Sequence, residues 1–281
     1  SAGVKLIQMI EERRSEEPVT LQYASTFGAT VSMTPHDHWL LGNGTVHEGE
    51  VSTRLGLPAI PEAAETVGVA RDIALIETTG VRAHFDLLSC GRSAKMVHEA
   101  QRRKLPLTAG VAIHQLLLDE RAVGEFDTMC KTYPPLRTAE DKKQLRSALK
   151  RGVISCICSD HKPHGKDAKL APFSEAASGI SGLDSFMSLA WSLVADGVID
   201  RMQLVSVVSS NPASLIGSPA GNLGAGSPAD IIVFDPDRKW TLNSKSMLSR
   251  GKNSPFLDSY RCGKVTKTWV AGKLVFEDES H

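Results

Sequence analysis

Ionisable side chains are concentrated in the segment from Ser159 to His164, which directly follows an apolar run at residues 153–158. Such a run is typical of a strand buried on both faces, and parallel α/β proteins form their sites at the carboxyl ends of these strands. An aspartate at the position of Asp160 can bind a metal ion or accept a proton from metal-bound water. The imidazoles of His161 and His164 can bind a metal or a substrate. The alternative is a polar loop whose aspartate caps a turn and whose histidines face water.

A second candidate is the pair His36 and His38, which flank Asp37 just past a short β-branched run. On an extended segment, residues two apart share a face, so both rings are predicted to lie on one side, where a metal ion could use them. Two histidines without a third ligand do not make a zinc site. The alternative interpretation is a surface loop.

Cys156 and Cys158 also share one face of a predicted strand. Because cysteine is among the most buried residue types, we interpret both as core residues. His84 and His114, which lie near predicted strands, are interpreted as hydrogen-bonded core histidines. The five cysteines have no disulfide-framework spacing and are typical of reduced thiols in the cytosol.

The composition is that of an ordinary globular protein, with 281 residues, 41% hydrophobic and 23% charged. These values exclude a disordered, collagen-like or disulfide-scaffold protein. The 32 basic side chains balance 32 acidic ones, so charge does not indicate nucleic acid or a membrane surface as a partner. Apolar runs fall short of the roughly 18 residues that a membrane-spanning helix needs. We therefore predict a cytoplasmic protein.

Strand and helix patterns alternate with short connections, which predicts a parallel sheet with crossover helices. The predicted strands are residues 29–33, 81–88, 107–112 and 153–158. The predicted helices begin at Pro61, cover residues 93–104 and follow a capping box at residues 138–141. Residues 42–61 are predicted to form a long loop, and residues 4–16 fit either a strand or a short helix.

The last part of the chain has a different pattern. Residues 229–234 predict a strand that ends in a turn at residues 235–237, and residues 267–276 predict a β-hairpin. We therefore predict two domains, an α/β unit at residues 1–226 and a β-rich unit at residues 227–281. Because a (β/α)₈ barrel needs about 250 residues, four predicted strands indicate either an open sheet or part of a barrel.

Several ordered motifs together resemble the dihydroorotase family of cyclic amidohydrolases. Residues 159–164 resemble its Asp-His-Ala-Pro-His motif, with Lys162 where alanine is usual, and residues 134–137 resemble its Pro-Pro-Leu-Arg segment. Further matches are residues 48–51, 55–58, 60–65, 211–213 and 227–230.

The resemblance implies a (β/α)₈ TIM barrel of the metal-dependent hydrolase type with a small composite β domain. It implies zinc chemistry in pyrimidine biosynthesis, with Asp160 as general base and possible metal ligand and with His164 and His161 at the substrate. The four predicted strands correspond to the second half of the barrel, and we expect the first half to lie outside this sequence.

The chain departs from the family at three positions. Thr34 and Leu87 stand where the family has metal-binding histidines, and Tyr133 replaces the asparagine before Pro-Pro-Leu-Arg. The family's His-x-His-x-Arg segment is also absent. Because catalytic zinc needs at least three protein ligands and leucine has no donor atom, we expect no catalytic zinc in the usual family manner. His36 and His38 are the remaining candidates for a metal.

These departures, with residues 107–112, 167–173 and 249–256, most resemble the non-catalytic branch that assembles with aspartate transcarbamoylase. The resemblance thus implies a structural partner that also forms homo-oligomers. Asp160 and His164 are retained, so an active zinc-dependent dihydroorotase with further ligands outside this sequence is the alternative. A hydantoinase or an allantoinase is a third hypothesis, which the motifs around Pro134 and Asp160 disfavour.

Overall fold

The computed structural model describes residues 6–8 and 17–278. The ten strands of this part are β1 (Leu6–Gln8), β2 (Thr30–Met33), β3 (Val46–His47), β4 (Ala59–Ile60), β5 (Arg82–Phe85), β6 (Leu107–Ala112), β7 (Cys156–Cys158), β8 (Ile231–Leu242), β9 (Ser259–Val270) and β10 (Lys273–Glu277). The α-helices are α1 (Glu17–Thr26), α2 (His38–Leu41), α3 (Glu50–Leu55), α4 (Ala63–Thr79), α5 (Gly91–Arg102), α6 (Ile113–Leu117), α7 (Ala139–Lys150), α8 (Asp167–Leu170), α9 (Phe186–Ala195), α10 (Arg201–Val205) and α11 (Asn211–Leu215).

Five parallel strands form the main sheet in the order β1-β2-β5-β6-β7. Their registers pair Val31 with Ala83, Phe85 with Ala109, and Val111 with Ile157. Neighbouring strands are joined by helical crossovers, namely α1, α4, α5 and α7. Because every pairing is parallel, all the strand carboxyl ends meet at one edge. The predicted α/β class is confirmed.

Alternation along the strands separates an apolar face from a polar one. The odd-numbered side chains join the hydrophobic core with the helices, as Val31, Phe85 and Ile157 do. Even-numbered side chains point to the opposite face, where Ser32 and His84 make hydrogen bonds. The helices therefore cover one face of the sheet, and polar side chains line the other face, which the family resemblance identifies with a barrel interior.

Several predicted boundaries are wrong. The fourth predicted strand begins at Cys156 rather than at residue 153, because the N–H groups of Val153 and Ile154 bond back to the carbonyl of Ala148 and close the end of α7. Residues 42–61 are not one loop, since they contain β3, α3 and β4, with β3 and β4 paired in parallel. Of residues 4–16, only 6–8 fall within the described part, and they form β1.

The predicted tail hairpin is confirmed: β9 and β10 pair antiparallel across a turn at Ala271 and Gly272. The predicted turn at residues 235–237 is wrong. Strand β8 continues to Leu242 and absorbs the segment as a register shift between Asp235 and Lys239. The boundary between the two domains stays a prediction. Among helices within residues 17–278, none combines the length and hydrophobicity that a bilayer span requires.

The predicted capping box at the start of α7 is present. The hydroxyl of Thr138 accepts the N–H of Asp141 at 3.1 Å, and the Asp141 carboxylate accepts the N–H of Thr138 at 3.2 Å. The other carboxylate oxygen accepts the N–H of Gly91, the first residue of α5, at 2.9 Å. The side chain of Asp141 thus binds N–H groups at the N-terminal ends of two neighbouring helices, α7 and α5.

We expect Thr138→Ala to lower the free energy of unfolding by about 1 kcal/mol, the usual value of an N-cap. Asp141→Ala should cost more, because the Gly91 N–H also loses its acceptor. Urea unfolding measures both, with the exposed Lys143→Ala on the same helix as the control. Equal stability of the Thr138 variant and the control would contradict the capping role.

Candidate functional site

The segment that follows β7 turns sharply at Asp160, whose φ is +43°. Its carboxylate is 7% exposed and lies 2.9 Å (Oδ1) and 3.2 Å (Oδ2) from the Nζ of Lys162. The same Nζ donates to the carbonyl of Tyr133 at 3.2 Å. Asp160 is therefore held at the carboxyl end of β7 in an ion pair with a lysine two residues further along.

Both histidines of this segment are engaged with the loop at residues 178–183. The Nδ1 of His161 accepts the N–H groups of Gly182 and Leu183 at 3.1 and 3.3 Å, so this nitrogen carries no proton. The Nε2 of His164 lies 2.9 Å from the carbonyl oxygen of Ser178 and donates to it. These hydrogen bonds join both rings to the loop at residues 178–183, and none of them involves Asp160.

Asn253 holds the two segments together, and the sequence analysis did not single it out. Its side chain accepts the N–H of His164 at 2.7 Å and donates to the carbonyls of Lys162 and Gly179 at 2.9 and 3.0 Å. It lies within residues 249–256, which carried part of the branch resemblance. The resemblance of that segment could have pointed to Asn253. The role of Asn253, however, depends on a contact across about 90 residues, which the sequence does not show.

The rings of His36 and His38 do not share a face, so that prediction is wrong. The carboxylate of Asp37 accepts the N–H groups of Trp39 and Leu40 and caps α2, so the chain leaves the extended conformation there. His38 is exposed in the first turn of the helix, whereas His36 is 1% exposed with its ring 5.2 Å from that of Tyr133. Burial lowers the pKa of His36.

The residues present do not fit a catalytic zinc ion. Leu87, half-buried with a φ of +55°, offers no donor atom at the carboxyl end of β5. Thr34 offers only a neutral hydroxyl, and both Asp160 oxygens already bind an ammonium group. Within residues 17–278, no three His, Cys, Asp or Glu side chains converge as a metal site.

A polar chain crosses the barrel interior on three neighbouring strands. His84 is buried, with Nδ1 2.7 Å from the hydroxyl of Thr108 and Nε2 3.3 Å from the carboxylate of Asp86. Ser32 donates to the other oxygen of that carboxylate. Gly110 makes room for the ring, because a Cβ there would lie 2.9 Å from the Nε2 of His84. His84 is thus a hydrogen-bonded interior histidine, as predicted.

The other interior side chains have raised or lowered pKa values because of burial. His114 is fully buried and burial lowers its pKa to about 4, but neither ring nitrogen has a hydrogen-bond partner in the described chain. The predicted hydrogen-bonded role of His114 is therefore wrong. Burial also raises the pKa of Cys156, which is a free thiol. Cys158, predicted to be a core residue, is exposed.

A fully buried carboxylate, Glu65, lies behind the strand ends. It accepts the N–H groups of Ser89 and Cys90 at 3.0–3.1 Å and the hydroxyl of Ser89. Burial works to raise the pKa of Glu65, but the charge of Arg137 and these hydrogen bonds outweigh it and lower the pKa. The carboxylate therefore stays ionised and fixes the start of α5 against α4.

Arg137 is the buried counter-charge of Glu65, at 4.0 Å from its Oε2. Its Nε donates to the hydroxyl of Ser89 at 3.0 Å, and its Nη1 donates to the carbonyl of Ile60 at 3.0 Å and to the Nδ1 of His47 at 3.1 Å. A guanidinium only donates, so the Nδ1 of His47 accepts and the imidazole is neutral. Burial and the positive charge of Arg137 lower the pKa of His47 to about 4.

Residues 35–275 match the amidohydrolase family. A dihydroorotase-like protein of Pseudomonas putida is 44% identical over 254 residues, which cover 90% of this chain and 60% of that protein. A dihydroorotase of Anaeromyxobacter dehalogenans is 40% identical over 261 residues, which cover 92% and 60%. The chain thus spans about 60% of the length of these curated relatives.

Among solved structures, D-hydantoinase from Thermus sp. is similar with a TM-score of 0.85 and 26% identity, over 97% of this chain and 63% of that one. L-hydantoinase from Arthrobacter aurescens has a TM-score of 0.86 at 21% identity, over 97% and 64%, which shows a shared fold. The predicted barrel fold and the resemblance to dihydroorotases are both confirmed.

We expect Glu65→Ala to lower the free energy of unfolding by about 3 kcal/mol or more, because it leaves the Arg137 charge buried without its partner. The exposed Glu77→Ala, which also removes a carboxylate from α4, should change it by less than about 0.5 kcal/mol. Urea unfolding at neutral pH measures both. Similar losses in the two variants would contradict the role of the buried pair.

Acid should destabilise the protein through His47. Its pKa is about 4 in the folded chain and 6.5 when unperturbed, so the unfolded chain takes up the proton first as the pH falls. Stability should therefore decrease from about pH 6.5 to about pH 4, by about 3 kcal/mol, and this contribution should level off below pH 4.

His47→Gln keeps an acceptor for Arg137 but does not titrate, so its loss of stability over that range should be smaller. Unfolding free energies at several pH values measure the difference. The exposed His38→Gln is the control and should follow the parent protein. A parent-like pH dependence in the His47 variant would contradict the prediction.

Proposed function

The chain belongs to the amidohydrolase family, and from that premise we propose that its whole protein is a dihydroorotase-like barrel without dihydroorotase activity. In this proposal it is a structural partner of aspartate transcarbamoylase. The relatives at 40–44% identity are dihydroorotases or dihydroorotase-like proteins, which favours the dihydroorotase family over the hydantoinases at 26% or less.

Leu87 is the observation that carries the proposal. It lies at the carboxyl end of β5, where the resemblance places a metal-binding histidine, and its side chain cannot donate an electron pair. An ion beside an apolar group is poorly solvated, which disfavours it further. Thr34, at the end of β2, replaces a second histidine with a weak neutral ligand.

The two retained family residues are engaged elsewhere, which also supports the proposal. Asp160, the general base implied by the resemblance, is neutralised by Lys162 through both oxygens. His164 donates to the carbonyl of Ser178, so this ring nitrogen is not available to a substrate. A base must reach the proton that it removes, and both oxygens of Asp160 already bind the ammonium group.

The partner is proposed from the branch resemblance of residues 107–112, 167–173 and 249–256. One of these segments reaches the candidate site: residues 249–256 contain Asn253, which shapes the loop after β7. We also propose homo-oligomers and a cytoplasmic location, the latter because all five cysteines are free.

One alternative is favoured by a specific observation, since Asp160 and His164 are both retained. In that reading the whole protein is a zinc-dependent dihydroorotase, which interconverts N-carbamoyl-aspartate and dihydroorotate. Its remaining metal ligands would lie in sequence outside this chain, and Asp160 would have to exchange Lys162 for the metal.

We expect the full-length protein to hydrolyse dihydroorotate no faster than its Asp160→Asn variant, because Asp160 is not available as a base. The assay is run with added zinc, and bound zinc is measured in the same samples. Turnover that requires Asp160, together with one zinc per chain, would establish the alternative.

The structural role is tested by expressing aspartate transcarbamoylase from the same source with and without this protein. We expect the two to co-purify, and the transcarbamoylase alone to lose activity on dilution. A transcarbamoylase that is equally stable alone, with no complex by light scattering, would exclude the partnership.

A further inference from the structure

We infer that the ammonium group of Lys162 is the resident cation of this barrel, in place of the metal ion that its family uses. The inference deepens the proposed function and rests on it, since it explains how a barrel that keeps Asp160 is stable without a metal. It assigns a role to the one residue at which the motif of residues 159–164 departs from the family.

The ammonium group is fully coordinated by the chain. It has three N–H donors and three acceptors in reach: the two oxygens of Asp160 at 2.9 and 3.2 Å and the carbonyl of Tyr133 at 3.2 Å. Two of these acceptors are the carboxylate oxygens that a metal ion would need. The group therefore has no donor left for a substrate, and Asp160 has no oxygen without a cation.

The backbone places Lys162 for this role. Its N–H donates to the carbonyl of Ile180 at 2.9 Å, and its carbonyl accepts from Asn253 at 2.9 Å. The stem of the side chain lies against Gly179, where a Cβ would come within 2.3 Å of the Lys162 Cβ. The position of the ammonium is thus set by two neighbouring segments as well as by its attraction to Asp160.

Charge explains why a cation is needed here. The Asp160 side chain is 7% exposed, and a carboxylate removed from water is unfavourable unless a counter-charge and hydrogen bonds replace its hydration. His114 is a further basic group whose pKa is affected by the charges of both Asp160 and Lys162. Because burial lowers its pKa to about 4, it is neutral and cannot serve as the counter-ion.

The same arrangement excludes a divalent ion. A metal bound to Asp160 would lie beside the positive charge of Lys162, and each would repel the other in a partly buried setting. Leu87 supplies no ligand that could offset this repulsion. Lys162 is itself 38% exposed, so an ordinary surface ion pair is the competing explanation, and the test must separate the two.

The test is a double-mutant cycle in the full-length protein with Lys162→Met, Asp160→Asn and the pair of substitutions. Lys162→Met should raise the unfolding equilibrium constant about tenfold, because it leaves Asp160 without a counter-charge. Adding Asp160→Asn to it should recover most of that loss, since the asparagine needs no cation. Lys166→Met, an exposed lysine of the same loop, is the control and should change little.

Zinc binding is measured on the same proteins, after equilibration with zinc chloride and removal of free metal. The parent and Asp160→Asn should retain the same amount of zinc, because Asp160 is not a ligand. One more zinc ion per chain in the parent would overturn the inference, and so would additive effects in the cycle. If Lys162→Met does not fold, recovery of folding by the added Asp160→Asn shows the coupling, and the zinc comparison remains decisive.

Failure of this inference differs from failure of the proposed function. Dihydroorotate turnover with intact coupling and no Asp160-dependent zinc would refute the structural role and leave the resident cation in place. Absence of turnover, together with additive effects of the two substitutions on stability, would refute the resident cation and leave the structural role in place.

Discussion

A carboxylate that leaves water needs a replacement for its hydration, and this constraint organises the carboxyl end of the barrel. Glu65 obtains N–H donors from the start of α5 and the charge of Arg137. Asp119 obtains Arg121 and Lys142, at 2.7 and 2.8 Å. The cation comes either from a distant segment, as Arg137 and Lys142 do, or from two residues further along the chain, as Arg121 does. Asp160 and Lys162 follow the same rule.

This constraint bears on function because the carboxylates of active sites are often left without a permanent counter-charge from the protein. A catalytic carboxylate is useful when its partner is a metal ion or a substrate that comes and goes. Here both oxygens of Asp160 bind the ammonium group of Lys162, and loop carbonyls and N–H groups engage the rings of His161 and His164. The arrangement favours a rigid loop over a reactive one.

Much of the fold was predictable because its signals are local. The apolar strand patterns predicted the parallel sheet, Thr138 and Asp141 predicted the start of α7, and the tail alternation predicted the hairpin. One predicted boundary failed because the end of a helix competed with the apolar strand pattern. The apolar residues Val153 and Ile154 belong to the end of α7 and not to β7, because their N–H groups find acceptors there first.

By itself, the sequence determined the family, the α/β class, the motif at residues 159–164 and the loss of donor atoms at Thr34 and Leu87, since these depend only on residue type and order. Only the tertiary structure decided what each polar group faces. The cap formed by Asp37 separates His36 from His38, and Asn253 reaches the loop after β7 from about 90 residues away. Whether Asp160 faces a metal, water or Lys162 is likewise a matter of three-dimensional placement, because electrostatic energies depend on distance and burial.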